Sequence, residues 1–184
     1  MVEIEIVGNA LCLDFANTVS GRPVARWDVL ATADDAATWA GVVGRPVTTA
    51  YPELSAELAR TREFRETVYR VFQPLANGEQ PTSDGLGTVL GEYADAAAAG
   101  RLRADGDTYA LVWPGDRTLR MLRWEVAVSA IELLTQGPLD RLGECPSCGW
   151  LFLDTSKNRR RRWCSMAMCG SRDKARRYYE RHAS

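Results

Sequence analysis

The sequence predicts an α+β fold with a mostly helical N-terminal domain, residues 1–143, and a small C-terminal module, residues 144–184. Two observations support this prediction. Apolar residues recur every three or four positions through much of the first part, which is the period of an amphipathic helix. The second part holds four cysteines in two pairs, spaced C-x2-C-x15-C-x4-C. With 184 residues and 46% hydrophobic side chains, the chain is long enough to bury a core.

Helical periodicity and capping signals define the helices of the first part. They predict five helices, over residues 10–19, 34–44, 52–75, 84–99 and 116–136. Thr32 or Asp34 is positioned to cap the second helix. Pro74 and Asn77-Gly78 are expected to stop the third.

Alternating side chains predict the β part of the fold. Residues 3–7 alternate between charged and apolar side chains, as an edge strand does. Residues 101–113 alternate around Asp105-Gly106-Asp107, which indicates a β-hairpin.

The four paired cysteines have the spacing of a structural zinc site. Because thiolate sulfur binds Zn2+ well and four sulfurs close its tetrahedron, we expect one zinc ion with a structural role. Four unligated core cysteines are the other interpretation, and two pairs that bracket a polar loop argue against it. The expected ligands are Cys145, Cys148, Cys164 and Cys169.

The elements around the cysteines predict a treble-clef finger. Residues 145–149 would form a zinc knuckle, residues 150–153 a strand, and residues 156–163 the returning half of a hairpin. A helix over residues 172–181 would follow, with the second cysteine pair at or near its first turn. A zinc ribbon without that helix is the alternative. The fifth cysteine, Cys12, lies in an apolar segment and is expected to be a buried free thiol.

The net charge of −1 conceals two oppositely charged parts. Residues 145–184 hold ten lysines and arginines against three acidic residues, a net charge of +7, which leaves −8 on residues 1–144. Arginine binds phosphate oxygens in bidentate geometry, so a dense basic surface on a zinc module predicts nucleic-acid binding, with double-stranded DNA preferred over RNA. The expected contacts are Lys157, Arg159, Arg160, Arg161, Arg162, Arg172, Lys174, Arg176 and Arg177.

Other interpretations of this basic module stay open. The arginines would also suit an acidic protein partner, or form a charged tail without a partner. Three aromatic residues nearby would stack on bases or, as we favour, pack against the zinc site. These are Trp163, Tyr178 and Tyr179.

The first part offers less evidence of function. The only histidine, His182, stands at the expected frayed end of the last helix, so no enzyme is expected. Asp14, Asn17 and Thr18 are polar residues within an apolar segment. We favour a bracing role for them, because short polar side chains commonly satisfy local backbone groups. The alternative is a pocket for a small-molecule effector, which would make this domain a sensor.

The remaining expectations concern location and assembly. The apolar runs are too short to span a membrane, and the first eight residues are acidic where a secretory signal is basic. We therefore expect a cytoplasmic protein with no membrane partner. A homodimer is considered, because many regulators bind DNA as dimers.

Two stretches of the sequence resemble a known family. CGWLFLDTSKNRRRRWCSMAMCGSR is similar to the CGNR zinc finger, and LCLDFANTV with DVLATADDAATWAG is similar to the start of the ABATE domain that accompanies it. The resemblance implies a stress-related transcriptional regulator with a zinc finger. This chain has Ser171 where the family tetrapeptide has Asn. Serine is expected to cap the last helix by accepting a backbone N–H, although a base or phosphate contact of the amide would be lost.

Overall fold

A computed structural model describes residues 4–22 and 27–182 of the chain. The helices are α1 (Leu11–Ala16), α2 (Ala33–Val42), α3 (Leu54–Ala76), α4 (Ser83–Ala99), α5 (Leu119–Gln136) and α6 (Ser171–His182). The strands are β1 (Val19–Ser20), β2 (Trp27–Asp28), β3 (Arg101–Asp105), β4 (Thr108–Val112), β5 (Leu142–Glu144) and β6 (Leu151–Leu153). They pair as three antiparallel two-stranded sheets, β1–β2, β3–β4 and β5–β6. The α+β, mostly helical class is therefore confirmed.

The helices predicted for the first part are present, and their ends have local causes. Helix α1 stops at Ala16 because Val19 and Ser20 extend to pair with β2. Thr32 caps α2 in a reciprocal pair of hydrogen bonds with Asp35. Among the residues that the structure describes, no helix is long and apolar enough to cross a membrane.

Two local predictions for this part were wrong. Pro74 does not stop α3, because it lies inside the helix, which ends at Ala76. Because proline has no N–H to donate to the carbonyl four residues earlier, α3 contains one hydrogen bond fewer at this position and still continues for two residues. Residues 4–7 form no strand. The N–H of Val7 instead donates to Asp14 Oδ1 at 2.9 Å, and residue 3 lies outside the described residues.

The predicted hairpin is confirmed as β3 and β4, which face each other from Arg101–Val112 to Asp105–Thr108. Gly106 is the first residue of its two-residue turn and has a φ of +58°. Glycine suits this left-handed position because it has no Cβ, and the turn geometry follows the twist of the two strands.

The main core lies between α1, α2, α3 and α5. Phe15 of α1 is fully buried, with its ring centroid 5.7 Å from that of Trp39 and 6.3 Å from that of Phe64. Leu142 of β5 and Leu151 of β6 belong to the same cluster of buried side chains. The sheet next to the cysteines is therefore packed onto the helices.

Strand β6 has hydrogen-bonding partners along both edges. One edge pairs with β5. On the other edge, the Asn17 amide donates to the Leu151 carbonyl and accepts from the Leu151 N–H, each at 2.8 Å. The N–H of Leu153 donates to the Gly8 carbonyl at 2.9 Å. Residues 8–17 thus take the place of a third strand.

A buried ion pair joins α3 to α5. Arg123 Nη1 donates to Glu57 Oε2 at 2.6 Å, and both side chains are almost fully buried. Arg120 donates to Glu57 Oε1 at 3.0 Å, while Arg123 Nε donates to Glu92 at 2.8 Å. Burial raises the pKa of Glu57, but the hydrogen bonds from Arg123 and Arg120 outweigh it, so the pKa lies below its ordinary value. Glu57 therefore stays ionised at neutral pH.

The Asn17 amide gives a test of how β6 is held. Asn17→Ala leaves the N–H and the carbonyl of Leu151 without partners in the core, so we expect a loss of about 2–4 kcal/mol in the free energy of unfolding. Urea unfolding of the zinc-loaded protein, followed by circular dichroism, measures this loss. Asn158→Ala is the control, because Asn158 is exposed and should change stability by less than about 0.5 kcal/mol. Equal losses in the two variants would contradict the assigned role.

Candidate metal centre and basic surface

The first cysteine pair lies in a tight turn between β5 and β6. The Cys145 carbonyl accepts hydrogen bonds from the N–H groups of Cys148 at 3.3 Å and Gly149 at 2.8 Å. Gly149 has a φ of +74°, a left-handed conformation that glycine adopts without strain. The N–H of Cys145 donates to the Trp150 carbonyl at 2.8 Å and closes the turn. The turn therefore directs two sulfur atoms to one side, as a zinc knuckle does.

The second pair is brought in by a turn of π-helix, Met166–Gly170, directly before α6. The Ser165 side chain accepts from the Met168 N–H at 3.3 Å, and the Ser165 carbonyl accepts from the Cys169 N–H at 3.0 Å. Cys164 comes before this turn and Cys169 within it. As expected for a treble clef, the pair lies next to the start of the last helix, and a zinc ribbon without a helix is excluded.

The four sulfur atoms meet at one point. They all lie within 4.8 Å of one another, and Cys164 Sγ is 3.5 Å from both Cys148 Sγ and Cys169 Sγ. Zn–S bonds of 2.3 Å in a tetrahedron place the sulfurs about 3.8 Å apart, so these distances fit one zinc ion. Hydrogen bonding with Cys145 raises the pKa of the Cys148 and Cys164 thiols, whereas a bound cation favours four thiolates. The cysteines thus form a site for one structural zinc ion.

The knuckle is anchored to α3 through Glu144, the residue before the first ligand. Its carboxylate accepts from Tyr69 Oη at 3.2 Å, from Gln73 Nε2 at 3.0 Å and from Asn77 Nδ2 at 2.8 Å. Burial raises the pKa of Tyr69 to about 12, so its hydroxyl remains a donor. Sequence reasoning gave Glu144 no role, and nothing in its local sequence distinguishes it from a surface glutamate.

The predicted returning strand at residues 156–163 is wrong. Strand β6 pairs with β5, which precedes the knuckle, and the later segment is a loop of turns. Asp154 shapes that loop: Oδ1 accepts from the Ser156 N–H at 2.8 Å and Oδ2 from the Arg161 N–H at 2.9 Å. Hydrogen bonding with Ser156 and with that N–H lowers the pKa of the Asp154 carboxyl. The Asp-x-Ser spacing, typical of such turns, was the available signal.

Arg161 does not belong to the exposed basic surface on which it was expected. Its guanidinium carbon lies 4.4 Å from the centre of the Phe152 ring. Its N–H groups donate to four backbone carbonyls, those of Trp163, Leu153, Val7 and Cys164. The side chain therefore ties the metal site to the N-terminal segment and has little capacity left for phosphate.

The other eight predicted basic contacts are exposed and fall into two groups. Arg159 pairs with Asp140 at 2.6 Å, while Arg176, at 2.8 Å, and Arg177 pair with Asp173. The second group forms no ion pair within residues 4–22 and 27–182. It consists of Lys157, Arg160, Arg162, Arg172 and Lys174. Of these, Lys157, Arg160 and Arg162 line one surface groove of about 580 Å³, and Met166 and the half-buried Arg161 also line it.

Helix α6 carries its aromatic residues on the outside. Tyr178 and Tyr179 are 54% and 71% exposed, so the favoured expectation that they pack against the zinc site is wrong. Trp163 does pack there, beside the buried cysteines. Ser171 also differs from expectation: its hydroxyl donates to the Met166 carbonyl at 3.2 Å instead of accepting a backbone N–H. Ser165 caps the preceding turn of π-helix.

Asp14, Asn17 and Thr18, the three polar residues considered for an effector pocket, are buried. Asp14 accepts from Val7 and Gly8, Asn17 holds β6, and the Thr18 hydroxyl donates to the Phe15 carbonyl at 2.8 Å. Burial raises the pKa of Asp14 against these hydrogen bonds. The geometry favours the bracing role, and an effector pocket at these residues stays a prediction. Cys12 is fully buried as expected, which raises the pKa of its thiol to about 12.

A helical domain joined to a four-cysteine metal site defines a zinc-finger protein. Residues 141–182 match the CGNR zinc finger. Residues 9–137 match the ABATE family, described as a putative stress-induced transcription regulator, so the chain belongs to that family. No curated protein matches the chain. The resemblance drawn from the sequence is confirmed, while the boundary at residue 143 stays a prediction.

The metal site leads to a direct test of the four ligands. We expect purified protein to hold one zinc ion per chain and Cys164→Ser to lose it, because a serine hydroxyl is a poor ligand for this ion. Elemental analysis after gel filtration measures the zinc. Cys12→Ser is the matched control and should retain the full amount, since Cys12 lies in the core of the helices. Equal zinc contents in the two variants would exclude the site.

Proposed function

We propose that this protein is a DNA-binding transcription regulator in which zinc orders a basic surface for the phosphates of duplex DNA. One observation carries the proposal: five lysines and arginines around the zinc site are exposed and free of ion pairs within the described residues. Unpaired guanidinium groups lose no protein partner when they bind phosphate, and each contact releases counterions from the DNA. The family description supports the regulatory part of the proposal.

The groove formed by Lys157, Arg160 and Arg162 is the proposed centre of this surface. The Arg162 guanidinium carbon lies 4.9 Å from the centre of the Trp163 ring, which holds the side chain at the surface. Arg172 and Lys174 extend the charge along the first turns of α6. The exposed Tyr178 and Tyr179 are available for stacking on ribose or bases.

The proposal also covers catalysis, location and effectors. We propose that the protein is not an enzyme and acts in the cytoplasm. The single histidine is exposed at the end of α6, and its ring stacks on Tyr178 with centroids 4.1 Å apart, away from the other candidate groups. We also propose that the helical domain binds a small-molecule effector, which would make the protein a sensor.

A homodimer is the proposed DNA-bound form. Leu102 and Tyr109 lie on the same face of the β3–β4 hairpin and are 72% and 71% exposed. Strand β3 carries three charged residues and β4 carries none, so β4 is the edge that meets its own copy without charge repulsion. We propose that the β4 strands of two copies pair across a two-fold axis.

The salt dependence of DNA binding tests the basic surface. Removing Arg160 and Arg172 together should make the slope of log Kobs against log salt shallower by about 1.8, because each phosphate contact contributes about 0.9. Fluorescence anisotropy with duplex DNA at several salt concentrations measures the slope. Arg101→Ala with Arg103→Ala is the control, because it removes the same charge from exposed positions on the hairpin.

Two outcomes of that titration would contradict the proposal. Binding that ignores salt, or equal slopes for the two double variants, would remove the assigned surface. Parallel titrations with duplex RNA and with polyglutamate distinguish the remaining alternatives. Tighter binding to RNA would favour an RNA-binding protein, and binding to polyglutamate without DNA binding would favour an acidic protein partner.

Light scattering tests the dimer. We expect a dimer at micromolar concentration for the unsubstituted protein and a monomer for Tyr109→Lys, because two added charges would face each other across the proposed axis. Tyr179→Lys is the matched control, since Tyr179 is also 71% exposed but lies on α6. A monomeric unsubstituted protein, or a dimeric Tyr109→Lys variant, would contradict the assignment.

A further inference from the structure

A second cavity lies in the helical domain, separate from the zinc site. It is a half-open pocket of about 360 Å³ between the start of α3, the end of α4 and the start of α5. Cavities of this size hold small organic molecules. We propose that it binds a small carboxylic acid with an aromatic or other flat apolar body. A larger cleft of about 780 Å³ is lined by zinc ligands and belongs to the metal site.

One side of the cavity is an apolar wall. Trp113 and Trp124 line it, with ring centroids 5.9 Å apart and ring planes at 41°. The indole N–H of Trp113 donates to the Ala96 carbonyl at 2.8 Å, which fixes the orientation of that ring. Met121 completes the wall. Fixed aromatic faces and a thioether suit a flat apolar group.

The opposite side carries hydrogen-bond donors. Arg120 binds Glu57 Oε1 through Nε at 3.3 Å and Nη2 at 3.0 Å, and its Nη1 has no partner among the described residues. Tyr51 Oη accepts the Leu119 N–H at 3.2 Å, so its own proton is directed to another acceptor. Burial raises the pKa of Tyr51 and keeps that proton in place. Thr118, at the N-cap of α5, makes no capping bond with its side chain.

The charged groups around these donors form a network of ion pairs. Glu57 binds three arginines, Arg60, Arg120 and Arg123, and the last of these also binds Glu92. Arg60 is exposed to water, so its charge is screened, and the remaining pair of arginines, Arg120 and Arg123, balances Glu57 and Glu92. Glu53 also lines the cavity, but it is exposed to water, where its charge is screened. The assignment of a carboxylate therefore rests on the two donors that are free within the described residues, Arg120 Nη1 and the Tyr51 hydroxyl, which suit an anionic acceptor.

The inference deepens the sensor part of the proposed function by naming a site and a ligand class. Its test uses the zinc-loaded full chain without DNA, so failure here is distinguishable from failure of DNA binding. Phenylacetate is the probe, and phenylacetamide is its neutral match in shape. Calorimetry gives the affinity, and quenching of tryptophan fluorescence reports contact with the apolar wall.

We expect saturable binding of one phenylacetate per chain and at least tenfold weaker binding of phenylacetamide, because a charge-assisted hydrogen bond strongly favours the carboxylate. Arg120→Gln should weaken phenylacetate binding by about tenfold or more. Arg103→Gln is the control, because Arg103 is an exposed arginine of the hairpin, and it should leave binding unchanged. Tyr51→Phe provides a second variant that keeps Arg120 and its ion pair, with a weakening of about threefold to tenfold expected.

Three results would overturn the inference. The first is the absence of saturable phenylacetate binding up to about 10 mM. The second is equal binding of phenylacetate and phenylacetamide, which would remove the carboxylate as the recognised group. The third is unchanged affinity in folded Arg120→Gln and Tyr51→Phe, which would place the ligand elsewhere on the protein.

Discussion

Strand β6 must have hydrogen-bonding partners on both edges, because it is buried, and this requirement organises the rest of the molecule. Strand β5 supplies one edge, and residues 8–17 supply the other through Asn17 and Gly8. Unpaired buried backbone groups are costly, so loss of either partner would leave N–H and C=O groups of β6 without hydrogen bonds or expose them to water. The strand leaves the zinc knuckle directly, so the helical domain positions the first two ligands.

The metal site is therefore part of the fold and not a separate appendage. Glu144 carries the connection to α3, and Arg161 carries a second connection to the carbonyl of Val7. Zinc supplies about 10–16 kcal/mol in isolated finger peptides, where it must order the whole chain. Here part of that ordering is already provided by α3 and residues 8–17. The zinc ion is left mainly to fix the basic loop and the start of α6.

The difference between what the sequence could predict and what it could not follows from the range of each interaction. Cysteine spacing and helical period are local, so the ligands and the helices were predictable. Tertiary packing decides which segment pairs with β6. The sequence of residues 156–163 did not by itself show that residues 142–144 would pair with β6 instead. The run Arg159–Arg162 looks uniform in sequence, yet Phe152 and four carbonyls draw Arg161 inward. Most of these partners lie within nine residues of Arg161, but they surround its guanidinium only once the loop is folded, and the Val7 carbonyl is far away in the sequence.

Helix α3 lies between the metal site and the proposed carboxylate pocket, and its packing limits how the two could communicate. Glu57, in its first turns, lines the proposed carboxylate pocket and binds Arg120. At its other end, Gln73 and Asn77 donate to Glu144, next to the zinc knuckle. Val68 and Val71, between them, are fully buried, so a bend there would open the core. Any coupling must therefore move α3 as a rigid unit between two discrete packings. If a bound carboxylate shifted α3, it would change the affinity of the zinc finger for DNA by some factor. By thermodynamic linkage, DNA binding would then change the affinity for the carboxylate by the same factor.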